Sequence, residues 1–198
     1  MQRAILSSAA AAMLAALWLV SGVSPSGAQS ANEFLASAFG NRAGGTTPRQ
    51  EGAFTRRFGV GTIVVSFGDR RLYYVTAPGR AISYPIGVPQ EKELWTGTLP
   101  VTDKRVNPPW TPTPDMRREN PSLPASVPGG HPRNPLGVRA LYLGDTLYRI
   151  HGTDAPWTIG QIVTHGCVRL YNEDIIDLYN RVPVGTRVVV TSKAFNAY

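Results

Sequence analysis

A chain of 198 residues with 42% hydrophobic and 17% charged side chains has the length of one cored domain plus extensions, and its composition excludes a disordered chain. The formal charge of +7 suits an anionic partner, and a single cysteine excludes an internal disulfide.

The N-terminus carries the three parts of a secretory signal. Arg3 supplies the positive start, Ala9 to Val20 the apolar run, and Ser26-Gly27-Ala28 the small residues before a cleavage point after Ala28. The run is shorter than the ~20 residues of a membrane span. Residues 1–28 therefore read as a signal peptide, and the mature chain as exported to the periplasm without a span; an uncleaved anchor is the alternative. Export argues against nucleic acid as the partner and for an anionic extracellular polymer. It also makes a lone thiol a liability unless the thiol is used.

Residues 29–58 read as a linker, with Gly44-Gly45-Thr46-Thr47-Pro48 and a short helix over Ala31 to Phe39. From Gly59 the texture is β. Thr62 to Phe67 and Arg71 to Thr76 flank the turn Gly68-Asp69 as a hairpin, Ala81 to Val88 follows Ala77-Pro78-Gly79, and Leu99 to Thr102 is a fourth strand. Residues 103–137 hold nine of the 17 prolines and no strand pattern, the texture of a lid or substrate-binding segment or of a decorative insertion. Ala140 to Leu143 and Leu147 to Ile150 are joined by Gly144-Asp145. A helix starts at Asn172 as N-cap, with Glu173 and Asp174 in its first turn and Ile175, Ile176, Leu178, Tyr179 and Val182 as its apolar face. Pro183-Val184-Gly185 ends it, and Arg187 to Thr191 is the last strand. Many short strands with Gly and Pro turns indicate a mainly β sandwich or barrel.

The chemistry concentrates between His151 and Arg169. His151 closes a strand, and Cys167 lies shortly before the helix, so two rigid elements can aim both side chains at one point. A thiolate is the attacking species, and a free cysteine at its ordinary pKa of about 8.5 is mostly protonated at neutral pH. A histidine within reach can take that proton and return it to a leaving amine. Arg169 favours the thiolate, and the N–H groups around Gly166 and Cys167 can form an oxyanion hole. Two other readings stand beside this one. Cys167 can be a small buried hydrophobe, or His151, His165 and Cys167 can ligate zinc with His131, though no CxxC or HExxH spacing supports a metal site.

The pair His151-Gly152-Thr153 and Thr164-His165-Gly166-Cys167-Val168-Arg169 resembles the signature of L,D-transpeptidases with the YkuD-type catalytic domain. The resemblance runs upstream through Tyr84-Pro85-Ile86-Gly87-Val88, Thr96-Gly97-Thr98, Pro109-Trp110-Thr111-Pro112, Val127-Pro128-Gly129-Gly130 and Asn134-Pro135-Leu136-Gly137, and downstream through Ile159-Gly160 and Asn172-Glu173-Asp174. It departs at Leu94-Trp95, where the family often has Thr-Pro.

The resemblance implies a mainly β YkuD-type domain over residues 59–192, with a short helix after the cysteine and a C-terminal tail over 193–198. It implies a cysteine acyltransferase of peptidoglycan that needs no cofactor or metal and is open to carbapenems. Cys167 is then the nucleophile, His151 the proton donor and acceptor, His165 shapes the oxyanion pocket or orients Cys167, Gly166 belongs to the backbone of that pocket, and Arg169 holds charge or a substrate carboxylate. Trp110, Tyr84, Thr153 and Thr164 become substrate-binding candidates, and the 103–137 segment a cover for the donor cleft. The partner is a peptidoglycan stem peptide, with a second stem, a wall-anchored protein amine or a D-amino acid as acceptor. Two rivals remain: a non-catalytic wall-binding module, and a papain-like or NlpC-like peptidase, in which the cysteine normally precedes the histidine.

Overall fold

The structure is a computed structural model that describes residues 46–196. The expected signal peptide, its cleavage point and the helix over 31–39 lie outside the described residues. Eleven strands and two α-helices follow in chain order: β1 Gln50–Ala53, β2 Ile63–Ser66, β3 Arg71–Ala77, β4 Arg80–Pro85, β5 Val88–Pro89, β6 Gly97–Val106, α1 Pro114–Glu119, β7 Arg139–Leu143, β8 Arg149–His151, β9 Ile162–Thr164, β10 Val168–Arg169, α2 Asn172–Arg181 and β11 Arg187–Thr191.

The mainly β expectation holds. Nine strands form one sheet in the order β1-β4-β3-β2-β11-β6-β7-β8-β10, and β5 pairs with β9. Strand β6 joins the two halves. Its residues Gly97 to Pro100 pair with β11, and Val101 to Val106 pair with β7. Side chains alternate across a strand. Ile63 and Val65 of β2 therefore enter the main core with Leu72, Tyr84, Leu141, Ile150, Val168 and Leu170. Val64 points the other way, into a cluster with Phe54, Tyr73, Val75 and Ala81.

Three sequence expectations give way here. The linker reading fails from Gln50 onward, because β1 pairs with β4 and Phe54 is a core residue stacked on Tyr73 at 4.4 Å. Part of the expected tail is held too: Phe195 packs against the Phe54 cluster, and Asp69 accepts its N–H at 2.8 Å. The segment after residue 102 is not free of strand, since β6 runs four residues further and α1 follows. Thr113 caps α1 through its hydroxyl, and Pro114 opens it.

Helix α2 buries Ile175 and Leu178 in the main core, and Val182 just beyond its end joins them. Ile176 is exposed, so the apolar stripe is narrower than the sequence suggests. Asn172 is the first residue of α2 rather than its cap, and its side chain bonds elsewhere. No helix among the described residues is long and apolar enough to cross a membrane.

Candidate active site

Strands β8 and β10 run parallel, with Val168 beside Ile150 and Arg169 beside His151. Ile150, Val168 and Leu170 are fully buried in the core. By alternation His151 and Arg169 occupy the opposite face, with Arg149 and Cys167 one register step before each of them. Two cations, an imidazole and a thiol thus share one patch of sheet.

Histidine 151 is buried, and its Nδ1 lies 2.6 Å from the Gly152 carbonyl. A carbonyl only accepts, so Nδ1 carries the proton and Nε2 keeps its lone pair. Burial, then the Arg169 and Arg149 charges, lower the His151 pKa to about 3. The half-buried Cys167 donates its thiol to the Leu147 carbonyl at 3.6 Å, and no Cys167–His151 hydrogen bond forms among the described residues. Burial pushes the thiol pKa up, against the pull of the Arg149 backbone N–H and guanidinium. The resting pair is therefore a neutral thiol beside a neutral imidazole.

Both side chains sit on braced backbone. Asn172 Oδ1 accepts the N–H of Thr153 at 3.0 Å and that of Val138 at 3.4 Å, while Nδ2 donates to the Thr153 carbonyl at 2.9 Å. A Cβ on Gly152 would come within 2.2 Å of that oxygen, so glycine is required there. On the other side, Thr164 Oγ1 donates to the Cys167 carbonyl at 2.6 Å. Trp95 Nε1 donates to the Gly166 carbonyl at 2.8 Å, and its ring stacks on Tyr148 at 4.2 Å and 6°. Gly166 has φ of +101°, on the side of φ space that favours glycine.

The structure redistributes the other expected roles. Tyr84 is not at the surface: it is fully buried, and its hydroxyl donates to Asp177 at 2.7 Å. Thr164 is buried and bonded to the backbone of Cys167, so it braces the cysteine instead of facing substrate. His165 is exposed, with Nδ1 3.7 Å from Glu119 of α1. The helix follows the cysteine as expected, with the two residues of β10 between Cys167 and Asn172. Arg169 donates to Thr158 Oγ1 at 2.8 Å while its buried Nε has no partner among the described residues, and burial lowers its pKa. Trp110 exchanges two backbone hydrogen bonds with Val127, which folds the proline-rich segment into a loop. Thr153 accepts the Ala155 N–H and lines a cavity of about 380 Å³ with Asn134, Asp154, Trp157 and Asn172. No three His, Cys, Asp or Glu side chains among the described residues come together to hold a metal ion.

Sequence reading missed Arg149, Trp95 and Tyr148. Arg149 was within reach of it, since it stands two residues before His151 on one strand. The Trp95–Tyr148 stack is a non-local contact and left no local signal.

Residues 61–190 match the family described as the L,D-transpeptidase catalytic domain, YkuD. The probable L,D-transpeptidase ErfK/SrfK of Escherichia coli K12 is 46% identical over 137 residues, which is 65% of this chain and 43% of that protein. The chain thus spans under half the length of that curated relative. A Brucella melitensis crystal structure described as a probable carnitine operon oxidoreductase is 39% identical and has a TM-score of 0.51, with 79% of this chain and 99% of that one covered. The catalytic domain of the Enterococcus faecium L,D-transpeptidase shares the fold at a TM-score of 0.53 and 18% identity, covering 68% of this chain and 99% of that one.

Proposed function

We propose that this chain, which belongs to the L,D-transpeptidase (YkuD) catalytic-domain family, is an acyltransferase of peptidoglycan with Cys167 as nucleophile and His151 as proton carrier. The observation that carries the reading is the β8–β10 register, which puts Cys167 level with Arg149, on the same face as His151 and two residues back along the neighbouring strand, with Nε2 of the imidazole able to accept a proton.

A change of the Cys167 rotamer brings Sγ from the Leu147 carbonyl to Nε2. As Sγ bonds to the carbonyl carbon of the third stem residue, its proton passes to Nε2. Arg149 and Arg169 stabilise the developing negative charge. Burial and the Arg169 and Arg149 charges favour the neutral imidazole, so the imidazolium formed in this step gives its proton to the leaving amine. The terminal D-alanine departs as that amine, and a thioester stays on Cys167. An acceptor amine then attacks the thioester, losing a proton to Nε2, and the thiolate leaves and regains the proton.

The proline-rich segment lines the donor side, with Trp110 and the Thr153 cavity as contacts for the stem. Strained β-lactams of the carbapenem type acylate the same thiol. Export through the N-terminal signal places this chemistry in the periplasm, at the cell wall. The test is incubation with disaccharide-tetrapeptide and mass analysis of the products. Loss of D-alanine with a 3→3 linked dimer is expected, and an unchanged substrate over many hours contradicts the reading.

A further inference from the structure

We infer that Trp95 is a positioning residue for acyl transfer: its indole N–H, held flat against Tyr148, fixes the Gly166 carbonyl so that the Cys167 N–H faces the cleft as an oxyanion donor. This rests on the acyl-transfer reading above. It concerns the position at which the sequence departs from its family pattern.

A trans peptide points its C=O and the next N–H in opposite directions. With Gly166 O bound to Trp95 Nε1 at 2.8 Å, the Cys167 N–H is turned away from the indole. That N–H enters no hydrogen bond among the described residues, because the β8–β10 ladder begins only at Val168. Glycine is the residue at which a peptide rotates most freely, and Gly166 immediately precedes the N–H whose direction matters. The Tyr148 ring packs directly on Gly166, where a Cβ would lie 2.6 Å from its Cε1. The indole limits rotation of the peptide by holding its oxygen. The segment that carries Trp95 is itself tied to the cysteine loop, since Gln90 N–H donates to the Thr164 carbonyl at 3.0 Å. Two bonds thus fasten residues 90–95 along residues 164–166.

Trp95→Phe keeps a ring for the stack and deletes the donor. It should lower kcat for acyl transfer by roughly ten- to a hundredfold, the range approached when an oxyanion donor is lost or misaimed. KM should stay within about twofold of wild type. The pH profile of Cys167 alkylation by iodoacetamide should not move, because thiol ionisation answers to burial and Arg149. In an HNCO spectrum the Gly166 carbonyl carbon and Cys167 amide should shift from their wild-type positions. Trp95→Leu removes the stack as well and should lower both kcat and melting temperature; if it does not fold, Trp95→Phe still decides. A Trp95→Phe enzyme with wild-type kcat overturns the inference, and so does a kcat loss matched by an equal loss of folded protein. A wild-type enzyme without turnover overturns the acyl-transfer reading instead, and the HNCO shift then decides whether the indole sets this peptide.

Discussion

The side-chain amide of Asn172 holds the Thr153 backbone at both ends, accepting its N–H at 3.0 Å and donating to its carbonyl at 2.9 Å. This pair carries on from the backbone bond of Gly152 N–H to the Arg139 carbonyl at 3.1 Å and ties the strand end to the first turn of α2. It is one of the contacts that hold the backbone carrying His151.

Asn172→Ala leaves buried backbone groups of Thr153 without partners. Each orphaned group costs about 1–3 kcal/mol, so we expect a loss of roughly 2–4 kcal/mol in denaturant unfolding. Activity of the remaining folded enzyme should fall as well, because the imidazole loses its fixed position. Asn172→Asp keeps the acceptor but sets a carboxylate against the Thr153 carbonyl, so it should rescue only in part.

Gly166→Ala faces two penalties. Its φ of +101° disfavours any side chain, and the new methyl meets Tyr148. A cost of about 1–3 kcal/mol is expected from the backbone alone, with displacement of Cys167 and loss of turnover. A variant with wild-type stability and rate would contradict this account of the cysteine loop.

The low pKa of His151 makes a stability prediction with a definite sign. The unfolded chain binds a proton near pH 6.5, whereas the folded chain binds it only near pH 3. Between those values the unfolded state holds more protons, so the His151 contribution is complete above pH 6.5 and is lost as pH falls toward 3. The slope attributable to this residue is about 1.4 kcal/mol per pH unit. Urea unfolding of wild type and His151→Gln across that window should differ by that slope, and parallel curves would refute the assignment.

Arg149 donates to the Leu147 carbonyl at 3.1 Å, the same oxygen that takes the Cys167 thiol at 3.6 Å. Its cation holds thiolate character against burial. Arg149→Met should therefore move the midpoint of Cys167 alkylation to higher pH, and Arg149→Lys should restore part of the change. An unchanged profile in Arg149→Met would show that this guanidinium does not act on the thiol.

The legible parts of the molecule were local. Runs of β-branched and aromatic residues at Thr62 to Phe67 and Arg187 to Thr191 marked strands, and the His151 and Cys167 motifs pointed to the chemistry. Short elements escaped because pairing makes them: β1, β9 and β10 span only two to four residues each, too few for a period. Tyr84, a substrate-binding candidate in the sequence, is a core residue because its hydroxyl reaches Asp177 across 93 residues of chain. Asn172 looked like a cap because its chemistry suits one, yet Thr153 and Val138 compete for the same oxygen and win.

The central claim is a thioester on Cys167, and intact-mass spectrometry tests it most directly. Wild-type protein mixed with tetrapeptide stem and no acceptor should gain one adduct, equal to the stem less its terminal D-alanine, on the peptide containing Cys167. Cys167→Ala should gain none and make no product. Cross-linked product formed by Cys167→Ala at the wild-type rate would contradict the account.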